Sequence, residues 1–208
     1  MSWEINLGNA LDEIKKMPED SVDLVITDPP YDTLEKWRDM GTTTRLKDSS
    51  ASSNEWFPTL SIEELKEVFV EIYRVLKNNT HLYVLCDEET ADNIKPILRE
   101  IGFKLRKSLI WHKVGRKKEV ACPNCGSHVL EMHSPGTPGM GYPYRSQYEM
   151  VVLAEKGKRK PPKNKSVRNV LPVPWIKSKS TKPKMLHWIK TTMTLVPQNL
   201  LLQTRKKL

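Results

Sequence analysis

The residues best suited to chemistry stand at positions 28 to 31, where Asp28-Pro29-Pro30-Tyr31 closes the β-forming run Val22, Leu24, Val25, Ile26 and Thr27. Proline fixes φ and carries no N–H, so two in succession stiffen the turn and end strand pairing. A carboxylate held beside a backbone carbonyl is an acceptor pair, and it matches a group with two N–H donors, an exocyclic amine. The Tyr31 ring adds a flat face for stacking. An aromatic amine held this way aims its nitrogen lone pair at an electrophile, and a base in a duplex reaches such a pocket only by flipping out of the stack. The plainer reading is a turn whose Asp caps the next helix. The strongly apolar strand before it and the basic character of the chain favour the chemical reading.

A second constellation is Cys122-x-x-Cys125-Gly126 with His128 and His133. Two thiolates and two imidazoles could close a tetrahedral zinc site, and C-P-x-C-G resembles one half of a zinc ribbon. The alternative is a knuckle-shaped loop with plain thiols. Cys86 lies on a predicted strand and reads as a small buried hydrophobe.

The elements that must position these groups follow from periodicity. A strand-like piece at Ile5–Leu7 leads through Gly8-Asn9 into a short amphipathic helix carrying Leu11 and Ile14, which Pro18 ends before the apolar strand. Residues 33–58 are polar and without period, a long loop with a functional or a purely connecting role. Ser61 with Glu64 forms a capping-box pattern at the head of the stripe Ile62, Leu65, Val68, Phe69, Ile72, Val75 and Leu76. "THLYVLCD" reads as a buried strand, "EETADNIKPILREIG" as a helix with Pro96 inside and Gly102 at its C-cap, and "FKLRKSLIWHK" and "YEMVVLAEKG" as two further strands. Strand, helix, strand, helix, strand predicts an α/β fold with parallel strands and crossover helices, the last two strands pairing antiparallel at one edge.

Three units are expected: an α/β domain over 1–155 with the loop 33–58 and a Cys/Gly/Pro insert at 115–143, a basic Lys/Pro linker at 156–180, and a C-terminal helix and tail at 181–208. The formal net charge of +9, with a pI near 9.4, favours a polyanionic partner such as nucleic acid. "KVGRKK" (113–118) and "KGKRKPPKNK" (156–165) are the densest basic runs. Three cysteines give no disulfide framework, and neither a signal peptide nor a membrane-length apolar run is visible, so a soluble cytoplasmic protein is expected.

The sequence resembles the amino-group DNA methyltransferases that use S-adenosylmethionine, in the permuted arrangement that begins with D-P-P-Y. The likeness spans roughly residues 5 to 190. It rests on "GNALDEIKKMPEDSVDLVITDPPY", "LKEVFVEIYRVLKNNTHLYVLCD", "SLIWHK", "GMGYPYRSQYEMVVLAEKGKRK" and "STKPKMLHWI". The resemblance implies a Rossmann-like methyltransferase fold and double-stranded DNA as partner, and it admits a homodimer. It assigns Asp28, Pro29, Pro30 and Tyr31 to the target amine. Asn9, Asp28, Ser180, Thr181, Lys182 and Pro183 are assigned to the cofactor, S-adenosylmethionine. Tyr144 and Arg145 fall near the nucleic-acid cleft, and Trp37, Arg38, Arg45 and Lys47 fall in the loop after Tyr31, where base readers or a lid would sit. An Asp at the head of the tetrapeptide resembles the adenine-N6 enzymes, whereas the cytosine-N4 enzymes more often carry Ser. Where the family places a final strand and a glycine loop, this chain has "TLVPQNLLLQTRKKL", without glycine. The expectation is therefore a sheet lacking its C-terminal cofactor strand, and a competing reading is an inactive relative that only binds DNA.

Overall fold

In the computed structural model, the described residues are 8–30, 59–121, 124–126, 129–135, 144, 146–158, 164, 166–174 and 200–202. Helix α1 (Ala10–Lys15) begins where the Asn9 side chain accepts from Leu11 N, and strand β1 (Val22–Thr27) follows. Helix α2 (Ile62–Val75) carries the full capping box: Ser61 accepts from Glu64 N, and the Glu64 carboxylate accepts from Ser61 N. It runs directly into β2 (Leu76–Cys86), and Asp87 caps α3 (Glu88–Ile101). Gly102 ends α3 at φ 111, a left-handed conformation that glycine adopts without steric cost. Pro96 does not break α3; it lies on the exposed face, where one missing intrahelical bond leaves a carbonyl to water.

The remaining strands are β3 (Lys104–Leu105), β4 (Leu109–Ala121), β5 (Val129–Pro135), β6 (Tyr148–Lys156), β7 (Val170–Pro174) and β8 (Leu200–Leu202). The sheet order is β5-β4-β6-β2-β1-β8, with β3 also pairing β6 and β7 pairing β4. Strand β1 lies parallel to β2 and β8, and β6 runs antiparallel between β2 and β4. This is a mixed α/β sheet of the Rossmann-like kind; β4 and β6 pair antiparallel as expected, but within the sheet, β6 between β2 and β4 and β4 flanked by β5 and β7.

Two expectations change. The edge beside β1, expected to lack a strand, holds β8, with Leu24, Val25 and Ile26 opposite Leu200, Leu201 and Leu202. A three-residue apolar run gives no periodic signal, so only the pairing identifies it. Val170–Pro174, inside the stretch read as a linker, forms β7 in parallel with β4. Among the described residues, no helix is long and apolar enough to cross a membrane.

All three described helices share one core. Ile14, Phe69, Ile72, Ile94 and Leu98 pack with Val25, Leu82, Val84 and Val152 of the sheet. A second cluster, Leu24, Ile26, Tyr83, Leu85, Trp111 and Val151, takes alternate strand positions. Because both sets are buried, β1 and β2 read as continuous apolar runs.

The amino end of β2 is locked by Lys156, whose ammonium donates to Asp20 Oδ1 (2.9 Å) and the Leu76 carbonyl (2.7 Å) and sits 4.9 Å from the Tyr73 ring centroid. Gly157 adjoins it at φ 82, and a Cβ there would meet Asn79 N and Oδ1 at 3.0 Å. Gly157→Ala combines a left-handed backbone with that clash. It is expected to cost roughly 1–3 kcal/mol, read as a lower urea midpoint at unchanged m-value.

Candidate functional site

The site is built where β1 ends. Thr27, opposite Val84 of β2, is the last strand residue, and Asp28, half-buried, and Pro29, buried, follow. The Pro30 carbonyl accepts from Leu60 N at 2.9 Å, which ties the chain entering α2 to the corner. The Pro30 carbonyl is thus engaged by the protein itself.

The neighbouring strand ends carry more acid. Cys86 closes β2, and Asp87 accepts from Thr90 N at 2.8 Å as the α3 cap. Burial first, then the Asp87 carboxylate, push the Cys86 thiol up to about 12, with Lys95 pulling the other way and Asp28 adding to the rise. Asp28 therefore shares the carboxyl edge of the sheet with a protonated thiol and a second carboxylate. Such an edge is where ligands bind in open α/β sheets. Its anionic character suits a cationic ligand group.

The start of β6 completes this edge. Antiparallel pairing sets Met150 opposite Cys86, so Tyr148 reaches α3 and its hydroxyl donates to Glu88. That bond, then burial, raise the Tyr148 phenol to about 12. Beside it, Lys113 Nζ lies 2.6 Å from Glu149 and 5.7 Å from the Trp111 ring centroid. A groove of about 470 Å³ lined by Asp20, Tyr73, Arg74 and Lys156 opens at the opposite, amino edge. Its Lys156 and Asp20 bond each other, and it lies away from the Asp28 corner.

A family model for DNA methylases matches residues 22–199, most of the chain. The chain belongs to the DNA methylase family. It is 33% identical over 104 residues to the DNA adenine methyltransferase YhdJ of Escherichia coli (strain K12), covering 50% of this chain and 31% of that protein. It is 30% identical over 113 residues to the Type II methyltransferase M.HpaI of Haemophilus parainfluenzae, covering 54% of this chain and 32% of that protein. The aligned segments thus span about a third of each of these relatives. Among solved structures, M1.HpyAVI is similar with a TM-score of 0.51 at 18% identity, covering 90% of this chain and 72% of that chain. TTHA0409 of Thermus thermophilus gives 0.50 at 18% identity, with coverage of 89% and 72%. Both likenesses concern the fold.

Within this methylase-family chain, the expected site residues separate as follows. Asp28, Pro29 and Pro30 stand together at the carboxyl edge. Asn9 caps α1, its Oδ1 accepting from Leu11 N at 2.9 Å. Tyr144 is 87% exposed shortly before β6. Cys125 is exposed in the turn between β4 and β5, and His133 stands in β5 opposite Lys117. Tyr31, Trp37, Arg38, Arg45, Lys47, Cys122, His128, Arg145, Ser180, Thr181, Lys182 and Pro183 lie outside the described residues. Among the described residues, no group of three or more His, Cys, Asp or Glu is placed to hold a metal ion. Sequence reasoning missed the Leu60–Pro30 tie, the Glu88 partner of Tyr148 and the Lys113–Glu149 pair. Each joins segments far apart in the chain and depends on how the fold brings them together.

Proposed function

We propose that this chain is a cytoplasmic, S-adenosylmethionine-dependent DNA methyltransferase that modifies the exocyclic amine of a flipped base, adenine N6 in preference to cytosine N4. The observation that carries this is the Asp28-Pro29-Pro30 corner at the carboxyl end of a buried parallel strand, in a chain of the DNA methylase family. Bound S-adenosylmethionine would supply an electrophilic methyl group on a sulfonium. The edge suits that cation, because Asp28 and Asp87 place carboxylates at adjoining strand ends.

The chain's own part is orientation. The Asp28 carboxylate and the Pro29 carbonyl accept the two amine hydrogens, which fixes the nitrogen lone pair, and Asp28 takes the proton that the amine releases. Tyr31 stacks on the base. Asn9, Ser180, Thr181, Lys182 and Pro183 are assigned to the cofactor, and Trp37, Arg38, Arg45, Lys47, Tyr144 and Arg145 to DNA. Adenine is favoured by the Asp at position 28 and by the likeness to a DNA adenine methyltransferase. The likeness to a Type II methyltransferase supports a restriction-modification setting.

The test pairs calorimetry with transfer of a tritiated methyl group from S-adenosylmethionine to unmethylated duplex DNA. One-site cofactor binding and label retained in DNA are expected. DNA binding without cofactor binding would instead support the reading of an inactive relative.

A further inference from the structure

Strand β4 is 13 residues long, but only its first part belongs to the body of the sheet. Leu109–His112 pairs with β6 and Ile110–Val114 with β7; from Val114 to Ala121 its partner is β5, and β5 pairs with no other strand among the described residues. Residues 115–121 and 129–134 therefore form a two-stranded ribbon, and seven residues extend it by roughly 23 Å.

Its direction is set by register. β6 begins beside the carboxyl end of β2, and β4 runs antiparallel to β6, so β4 leaves the sheet across the same edge that carries Asp28. Strands β2 and β6 separate β4 from β1, placing the ribbon's root roughly 14 Å from the corner. That root is held firmly: Lys113 N donates to the Gln147 carbonyl at 2.7 Å, and Lys113 Nζ pairs with Glu149. Arg116, Lys117 and Lys118 follow in succession, just beyond the anchor.

We infer that this ribbon is an arm that grips duplex DNA beside the target base, through phosphate contacts made by Arg116, Lys117 and Lys118. The inference rests on the proposed function, which puts the duplex over the carboxyl edge. Charge complementarity names the occupant: Arg116, Lys117 and Lys118 outnumber Glu119 and Glu131 of the same ribbon and come first as it leaves the edge, where they meet a polyanion lying across it. A two-stranded ribbon also has dimensions that a major groove admits. Phosphate contacts position a duplex without reading its sequence, so the arm adds affinity and register while base selection lies elsewhere.

The test measures binding of the full chain to a fluorescein-labelled, mixed-sequence duplex as a function of salt, comparing wild type with R116Q/K117Q/K118Q and with the charge-keeping R116K/K117R/K118R. The glutamine variant is expected to lower the slope of log K against log salt by about 2–3, at roughly 0.9 per phosphate contact. It should weaken binding about tenfold or more near 100 mM salt, with S-adenosylmethionine affinity unchanged by calorimetry. The charge-keeping variant should retain the wild-type slope. Wild-type binding with the same slope in the glutamine variant overturns the arm and leaves the proposed function standing. Loss of a dimer in sedimentation, with the slope intact, overturns it in favour of a contact between copies of the chain. A wild type without DNA affinity removes the arm and the proposed function together.

Discussion

Asp28→Ala is expected to lower methyl transfer by roughly 10²- to 10³-fold or more, and S-adenosylmethionine affinity by much less, because the Asp87 carboxylate still stands at that edge. The reason lies in where the carboxylate stands. Asp28 is half-buried at a strand end, near the Cys86 thiol and on the same edge as the Asp87 carboxylate. Asp87 and Asp28 both add to the rise of that thiol to about 12, after burial, so the edge disfavours further negative charge. Because Asp28 is assigned to the amine and stands outside the apolar core, turnover should fall far more than thermal stability. Asp28→Asn keeps the size and one acceptor oxygen but gives up the site for the released proton, so it should fall between wild type and Asp28→Ala. Steady-state kinetics with calorimetry on the same preparations separate these effects; a D28A protein of ordinary turnover contradicts the assigned role.

The second large effect concerns stability. Glu155, 5% exposed in its side chain, lies 3.1 Å from His81 Nε2 through one oxygen and receives Arg106 Nε at 2.5 Å on the other. Its charge also helps raise the phenol of the fully buried Tyr83, although burial is the larger cause. Removing one member of a buried ionic cluster leaves the others without compensation and costs about 3–5 kcal/mol. Arg106 is 35% exposed and can turn toward water, so Glu155→Ala is expected near the low end, about 3 kcal/mol. Glu155→Gln keeps an acceptor and should lose less. Urea unfolding followed by circular dichroism reads both, and a Glu155→Ala midpoint equal to wild type would contradict the cluster's role. Transfer activity at low temperature should survive this change, in contrast to Asp28→Ala.

Much of the frame that places the corner can be read in the chain. The stripe from Ile62 to Leu76 and the Ser61–Glu64 box define α2 because helical period and capping are local properties. The same holds for Gly102 at the end of α3 and for the apolar run of β1 that delivers Asp28 to an edge. What the sequence hides is non-local. Leu200–Leu202 becomes a strand only because β1 presents an edge to it, and Val170–Pro174 joins the sheet from a lysine- and proline-rich stretch whose composition argues for a linker. The ribbon of β4 and β5 is legible as an insert with cysteines, not as an arm with a direction, because direction follows from the β6 register. At the site itself the acid and the prolines are visible, but the capture of the Pro30 carbonyl by Leu60 depends on how the chain returns after residue 58.

In the proposed reaction the Asp28–Pro29 corner presents an exocyclic amine to an electrophilic methyl group. Its most direct test is the chemical identity of the product. DNA incubated with the protein and methyl-labelled S-adenosylmethionine is digested to nucleosides and resolved by chromatography with mass detection. Label is expected in N6-methyldeoxyadenosine, on the amine nitrogen; label on a ring carbon such as cytosine C5, or no label in DNA from protein that binds both the cofactor and the duplex, rules this role out.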